Sequence, residues 1–191
     1  MKLVLSLIAS AIGVFSYIPH IKNVLKRKTE PHLYTWFLWS VLDIVLVTLM
    51  IKGGAGFAII PMTIFTLNCF TVTFLCLKFG TKNITKADLI VGTFSFIAII
   101  FWLFIDRPLV ALIFAIAADL LAFIPTVRKT WEEPKTETLS MYFLLAFRFV
   151  LILLAVDEFT ILSTLWLITW IIVASVFSVA IFFRRRLFAE I

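Results

Sequence analysis

Cysteine and histidine are almost absent from this chain of 191 residues, which has two of each. Cys69 and Cys76 lie in one apolar run and are about 10 Å apart along a helix, which is too far for a disulfide. His20 and His32 have no cysteine or carboxylate cluster at ligand spacing, so we expect no metal site and no cofactor. No Ser–His pair or other catalytic dyad is present either, and we therefore predict that the chain is not an enzyme.

Charged residues are also scarce, at 15% of the chain, whereas hydrophobic residues make up 63%. A soluble domain is nearer half apolar, so this composition, with a mean hydropathy of +1.13, indicates a membrane protein. A helix needs about 20 mainly apolar residues to cross a bilayer, and seven segments are long enough. They are approximately residues 3–19, 33–51, 57–77, 87–105, 108–127, 139–156 and 159–183. The first segment has no small-x-small cleavage site, and we predict that it is a retained helix rather than a signal peptide.

The basic residues occur in short clusters between the apolar segments. The loops after the first, third and fifth segments and the C-terminal tail hold 4, 3, 3 and 3 of them, whereas the opposite side has only Lys2, Lys52 and Arg107. By the positive-inside rule, this asymmetry predicts a multi-pass protein of the cell (inner) membrane, with its N-terminus outside and its C-terminus in the cytoplasm. The formal net charge of +6 does not form one patch, and we expect no nucleic-acid partner.

One sequence pattern occurs twice, 106 positions apart. Residues 16–23 and 122–129 each contain an aromatic residue followed by Ile-Pro, one further residue, a β-branched residue and a basic residue. Lys78 and Arg184 are also separated by 106 positions. We interpret the pattern as a duplicated three-helix bundle: residues 1–80 form the first repeat, 81–106 a connecting fourth helix, and 107–191 the second repeat with a basic cytoplasmic tail. A single connecting helix gives both repeats the same orientation. The predicted fold is thus an all-α membrane protein with seven transmembrane helices in a 3+1+3 parallel-repeat arrangement.

Two prolines, Pro19 and Pro125, occupy equivalent positions near the ends of the first and fifth segments. A proline removes a backbone donor and clashes with the preceding turn, so it ends or kinks a helix. Two interpretations are open: the prolines end their helices, or they form a pair of hinges.

Four polar residues lie near the middle of their predicted spans: Asp43, Asn68, Asp119 and Arg148. An Asp or Arg at a helix centre costs roughly 2.5–3.5 kcal/mol on insertion scales, whereas each Leu or Phe contributes about 0.3–0.6 kcal/mol. Such residues are expected to face the interior, pair with one another or line a wet cavity. One interpretation is a structural ion pair between Asp119 and Arg148. The other is a binding site in which Asp43 or Asp119 takes up and releases a proton.

Trp39 and Trp170 are also deep in their spans, and they either pack or form a wall on which a ligand stacks. The predicted substrate-binding residues are therefore Asn68, Asp43, Asp119, Arg148, Trp39 and Trp170. The expected partners are a small polar solute and the lipid bilayer. The sequence leaves open whether copies of the chain associate into a homo-oligomer.

With its seven segments and repeated aromatic-Ile-Pro motif, the chain resembles the PQ-loop family, which includes the SWEET sugar transporters and the cystinosin-type amino-acid exporters. The stretch from Lys28 to Trp39, followed by a Gly-rich turn, is similar to small bacterial members of unassigned substrate. The resemblance implies a transporter that moves an amino acid, a carboxylate or a sugar by alternating access, with proton coupling as an open question. The alternative is a non-transporting receptor or sensor on the same fold.

The sequence departs from the family pattern at three places. Both glutamines of the Pro-Gln dipeptides are replaced, by His20 and Thr126. In SWEET-like members one asparagine on the third helix and another on the seventh contact the substrate. Asn68 matches the first, but Ala174 stands at the second position. These departures favour an anionic or zwitterionic solute, which Arg148 would suit, over a sugar.

Overall fold

The computed structural model describes residues 1–28, 31–80, 85–104, 106–132 and 139–189, and these ranges contain seven α-helices. The helices are α1 (Lys2–Leu25), α2 (Leu33–Lys52), α3 (Ile59–Phe79), α4 (Lys86–Leu103), α5 (Pro108–Glu132), α6 (Leu139–Leu154) and α7 (Ile161–Ala189), and a 3-10 turn, Gly56–Ala58, leads into α3. Each helix overlaps one predicted apolar segment, so the all-α class is confirmed. Residue 81, where the connecting unit is predicted to begin, and the basic loop residues Lys82 and Lys135 lie outside the described ranges.

Five of the helices are long and apolar enough to cross a membrane: α1, α2, α3 with its 3-10 turn, α4 and α7. The described apolar stretches of the other two helices are shorter, Pro108–Ile124 in α5 and Tyr142–Leu154 in α6. Large apolar side chains also cover the outside of the bundle; Phe15 is 69% exposed and Phe74 is 68% exposed. Hydrocarbon tails accommodate such a surface and water does not. The chain is therefore a membrane-associated helical protein.

Local signals fix where individual helices begin and end. A capping box opens α4, in which the Asp88 N–H donates to Thr85 Oγ1 at 3.3 Å and the Thr85 N–H donates to Asp88 Oδ2 at 2.7 Å. After α2, the chain turns through Gly54 (φ +77°) and Gly56 (φ +55°), a backbone conformation that glycine adopts without steric cost. This is the tight turn that the Gly-rich sequence predicts.

The two prolines do not end their helices. α1 continues through Pro19 to Leu25, and α5 continues through Pro125 to Glu132. The interpretation as helix ends is wrong, because a proline removes only one N–H donor and the following residues resume the helical hydrogen bonds. The role of hinge stays a prediction.

The helices alternate in direction, so their connections gather at two ends of the bundle. At the N-terminal end, Lys2 pairs with Asp157 at 3.1 Å and Lys52 with Asp106 at 3.8 Å. At the opposite end, which we call the C-terminal end, His32 before α2 pairs with Asp88 of α4 at 3.6 Å. Within the bundle, α1 packs on α3 and α6, and α5 packs on α2, α4 and α7. Two further contacts join α2 to α3 and α6 to α7. Helices α1–α3 and α5–α7 thus surround the centre of the bundle.

Candidate functional site

A cavity of about 630 Å³ occupies the centre of the bundle. All seven helices contribute to its lining, for example with Tyr17, Asp43, Phe65, Asp88, Asp119, Arg148 and Trp170. The cavity extends from the mid-depth charged residues to Pro31 and His32 at the C-terminal end. A space of this size can hold a small solute of a few hundred daltons.

Five of the six predicted binding residues line this cavity: Asp43, Asp119, Arg148, Trp39 and Trp170. Asn68 is not among the lining residues; it is half-buried on α3, and its amide Nδ2 has no hydrogen-bond partner within the described chain. Whether the five side chains bind a solute stays a prediction, but they do converge on one space.

Arg148 is deeply buried, with 1% of its surface exposed. Its Nη2 donates to the backbone oxygen of Pro61 at 2.8 Å, and its Cζ lies 5.1 Å from the centre of the Phe65 ring. Its Nε and Nη1 have no hydrogen-bond partner among the described residues. An unsatisfied buried donor is costly, and more so when it is charged, so this guanidinium can gain from an anionic ligand.

One carboxylate oxygen of Asp119 is held by α7. Its Oδ2 accepts hydrogen bonds from the indole Nε1 of Trp166 at 2.7 Å and of Trp170 at 3.2 Å. No ion pair in the described ranges includes Asp119 or Arg148, so the predicted structural pair between them is not formed. The two indoles replace the arginine as partners of this carboxylate.

Asp43, in contrast, has a carboxylate oxygen without a hydrogen-bond partner in the described structure. It is 2% exposed, and the unpartnered atom is its Oδ2. Its neighbour is the thiol of Cys69, whose Sγ lies 3.8 Å from the hydroxyl of Tyr17. Asp43 therefore offers an acceptor atom that an ammonium group or a proton could satisfy.

Aromatic rings form most of the remaining wall. Trp36 contacts Trp39 edge-on with the ring centres 5.3 Å apart, and Phe149 contacts Trp166 in the same way at 5.1 Å. Rings that hold one another at right angles give a rigid apolar surface. Such a wall fits the apolar or planar body of a solute whose charged groups reach the polar residues.

Sequence reasoning missed Trp166, which provides the shorter hydrogen bond to Asp119. Its signal was available, because Trp166 and Trp170 are four residues apart and therefore lie on the same face of α7. Tyr17, Phe65 and Cys69 were also missed as lining residues. Tyr17 is the aromatic residue of the repeated motif and Cys69 is one of two cysteines, but neither feature indicates a position at the cavity, and Phe65 has no distinguishing feature in the sequence.

The N-terminal end of the bundle contributes no described residue to the cavity and is closed by two interlocked turns, residues 53–56 and 157–160. The N–H of Glu158 donates to the oxygen of Gly54 at 2.9 Å, and the Thr160 hydroxyl donates to the oxygen of Gly53 at 2.8 Å. Ala58 and Met62, which follow the first of these turns in the chain, are fully buried. We call this contact the turn interlock; it leaves the cavity with an approach from the C-terminal end.

Comparison with known proteins adds no relative from which a function could be transferred. The chemistry of the cavity therefore has to indicate what the protein does. No protein-family model, curated protein or solved structure matches the chain.

Proposed function

We propose that the protein is a PQ-loop/SWEET-like transporter that moves a small carboxylate-bearing solute across the cell membrane by alternating access. The observation that carries this proposal is the central cavity, in which a buried arginine and a buried aspartate each keep an unpartnered polar atom. Groups buried in a membrane protein at such cost are a functional site by default.

The charges in the cavity favour a particular class of solute. Arg148 has two free donors for a carboxylate, whereas Asp119 already has its two indole partners. Asp43 has a free acceptor for an amine or a proton. An amino acid satisfies both residues at once, and a simple carboxylate does so together with a proton on Asp43. A sugar would leave the guanidinium without a counter-charge, so it fits less well.

The arrangement of the two ends supports alternating access. The cavity reaches the C-terminal end, while the turn interlock closes the N-terminal end. In the proposed 3+1+3 repeat, α1 corresponds to α5, α2 to α6 and α3 to α7. In agreement with this correspondence, α1 packs on α3 and α6, and α5 packs on α7 and α2. In our proposal the two repeats rock against each other, with hinges at Pro19 and Pro125. The charge of the loops orients the C-terminal end, and with it the cavity, towards the cytoplasm.

Transport is tested with the purified protein in liposomes. We expect uptake of radiolabelled L-alanine, L-leucine or pyruvate to exceed that of D-glucose, and to exceed the uptake by protein-free liposomes for at least one of the three. Binding of one of them without uptake would favour the alternative, a receptor or sensor on the same fold. Neither binding nor uptake of any carboxylate would contradict the proposal.

A larger side chain at Gly53 should open the N-terminal end. A Cβ there would lie 2.8 Å from the backbone nitrogen of Ser163, and a backbone atom cannot rotate away. Overpacking of this kind costs about 1–3 kcal/mol, so Gly53→Val should raise the population of the open interlock about tenfold or more. The readout is the rate at which a membrane-impermeant maleimide modifies Ala58→Cys, a position that is fully buried while the interlock is closed.

The matched control is Lys52→Ala, which breaks an exposed ion pair at the same end without touching the interlock. Exposed pairs contribute little, so the rate of modification should not change. Equal rates in the Gly53→Val and control proteins would show that the interlock is not a gate.

A further inference from the structure

Gly13 of α1 lies directly against the guanidinium of Arg148. A Cβ at this position would be 2.7 Å from Cζ, 2.9 Å from Nη2 and 3.0 Å from Nε. These distances are shorter than carbon and nitrogen atoms tolerate without moving. Gly13 lies inside a helix and has no positive φ, so the backbone does not require glycine here. The missing side chain provides space for the arginine.

The guanidinium is held on three sides by α1 and α3, although Arg148 belongs to α6. The contacts are Gly13 of α1, the backbone oxygen of Pro61 and the ring of Phe65, both on α3. In this position Nε and Nη1 remain without a hydrogen bond in the described structure. Since a flexible arginine would otherwise turn towards an acceptor, the shape of this seat determines where its free donors point.

We propose that Gly13 is a positioning residue, which seats Arg148 so that its free donors can bind the carboxylate of a solute. This inference rests on the proposed function, because it takes a carboxylate as the ligand. The repeat offset of 106 gives the arrangement a counterpart, since Gly13 falls on Asp119 and Leu42 falls on Arg148. In the sequence, the glycine and the cation of this contact thus correspond to an acid and a leucine in the other repeat.

The test is a double-mutant cycle of Gly13→Ala and Arg148→Lys, read as the concentration of acetate, L-alanine or L-leucine that gives half of the maximal thermal stabilisation. Because Arg148 can move its flexible head, Gly13→Ala should fold and yet require at least about tenfold more ligand, as small misplacements of a binding group do. A lysine reaches only as far as the Cζ position and has no Nη2, so its flexible ammonium group can move away from the new methyl group. Gly13→Ala should therefore add little to the effect of Arg148→Lys, a non-additivity that indicates direct contact.

Gly92→Ala is the matched control. A Cβ at Gly92 meets only the hydroxyl end of the Tyr34 side chain, and neither residue lines the cavity. The control should lower the melting temperature without changing the half-maximal concentration. An unchanged concentration in Gly13→Ala, or full additivity with Arg148→Lys, would overturn the positioning role while leaving carboxylate transport intact. If none of the three ligands stabilises the unmodified protein, carboxylate recognition itself fails and the positioning role fails with it.

Discussion

Replacement of Arg148 by leucine should abolish carboxylate binding and, at the same time, raise the melting temperature. The ligand loses two charge-assisted hydrogen bonds, each worth about 1.5–3 kcal/mol, so its affinity should fall by a factor of about 100 or more. The protein, in contrast, loses a buried cation for which no ion pair is present among the described residues. Exchange of buried ionic groups for apolar ones of similar volume is often neutral or stabilising by about 1–4 kcal/mol. Thermal unfolding in detergent, with and without L-alanine or pyruvate, measures both effects.

Arg107→Leu provides the comparison, because Arg107 is exposed at the N-terminal end. It should change neither the melting temperature nor the response to ligand. If Arg148→Leu lowered the melting temperature as a core cavity does, the arginine would be a structural tie to Pro61 and Phe65. If binding survived in that variant, the carboxylate site would lie elsewhere.

Asp119→Leu and Asp43→Leu should shift stability in opposite directions, although both replace a buried carboxylate of the same cavity. Loss of the Asp119 carboxylate leaves the indole N–H groups of Trp166 and Trp170 buried without an acceptor. Each unsatisfied donor costs about 1–3 kcal/mol, so the free energy of unfolding should fall by roughly 2–6 kcal/mol. Asp43 has an unpartnered oxygen to begin with, so its replacement should be nearly neutral or stabilising. Chemical unfolding of the two variants side by side distinguishes these outcomes.

The corresponding asparagine variants separate structure from transport. Asp119→Asn keeps a carbonyl oxygen for the indoles and should recover most of the stability that leucine loses. Asp43→Asn should fold normally but alter uptake and its dependence on pH, because an amide cannot exchange a proton. Equal behaviour of Asp43→Asn and the unmodified protein at all pH values would remove Asp43 from the proton pathway.

The sequence was sufficient to predict the helices and the convergence of the costly residues, for physical reasons. A segment of about 20 apolar residues has few alternatives to a membrane helix. A charge in such a segment has few alternatives to an interior position, and Asp43, Asp119 and Arg148 do lie in one cavity. Composition and depth carry this information without any knowledge of the packing.

The partners of those residues could not be predicted, because they depend on how helices rotate and pack. The pairing of Asp119 with two indoles depends on which face of α7 points towards α5. Asn68 has the right depth but is not on the face of α3 that lines the cavity. Gly13 carries no signal of its own, since a glycine in an apolar helix is usually explained by helix packing.

The hydrogen bonds between α5 and α7 also affect the order in which the chain can assemble. Synthesis begins at the N-terminus, so Asp119 enters the bilayer before Trp166 and Trp170 have left the ribosome. During that interval, the many leucine, isoleucine and alanine side chains of α5 must offset an insertion cost of roughly 2.5–3.5 kcal/mol. When the last helix inserts, its two indoles bind Asp119, so a chain truncated before α7 leaves the insertion cost of the fifth helix uncompensated.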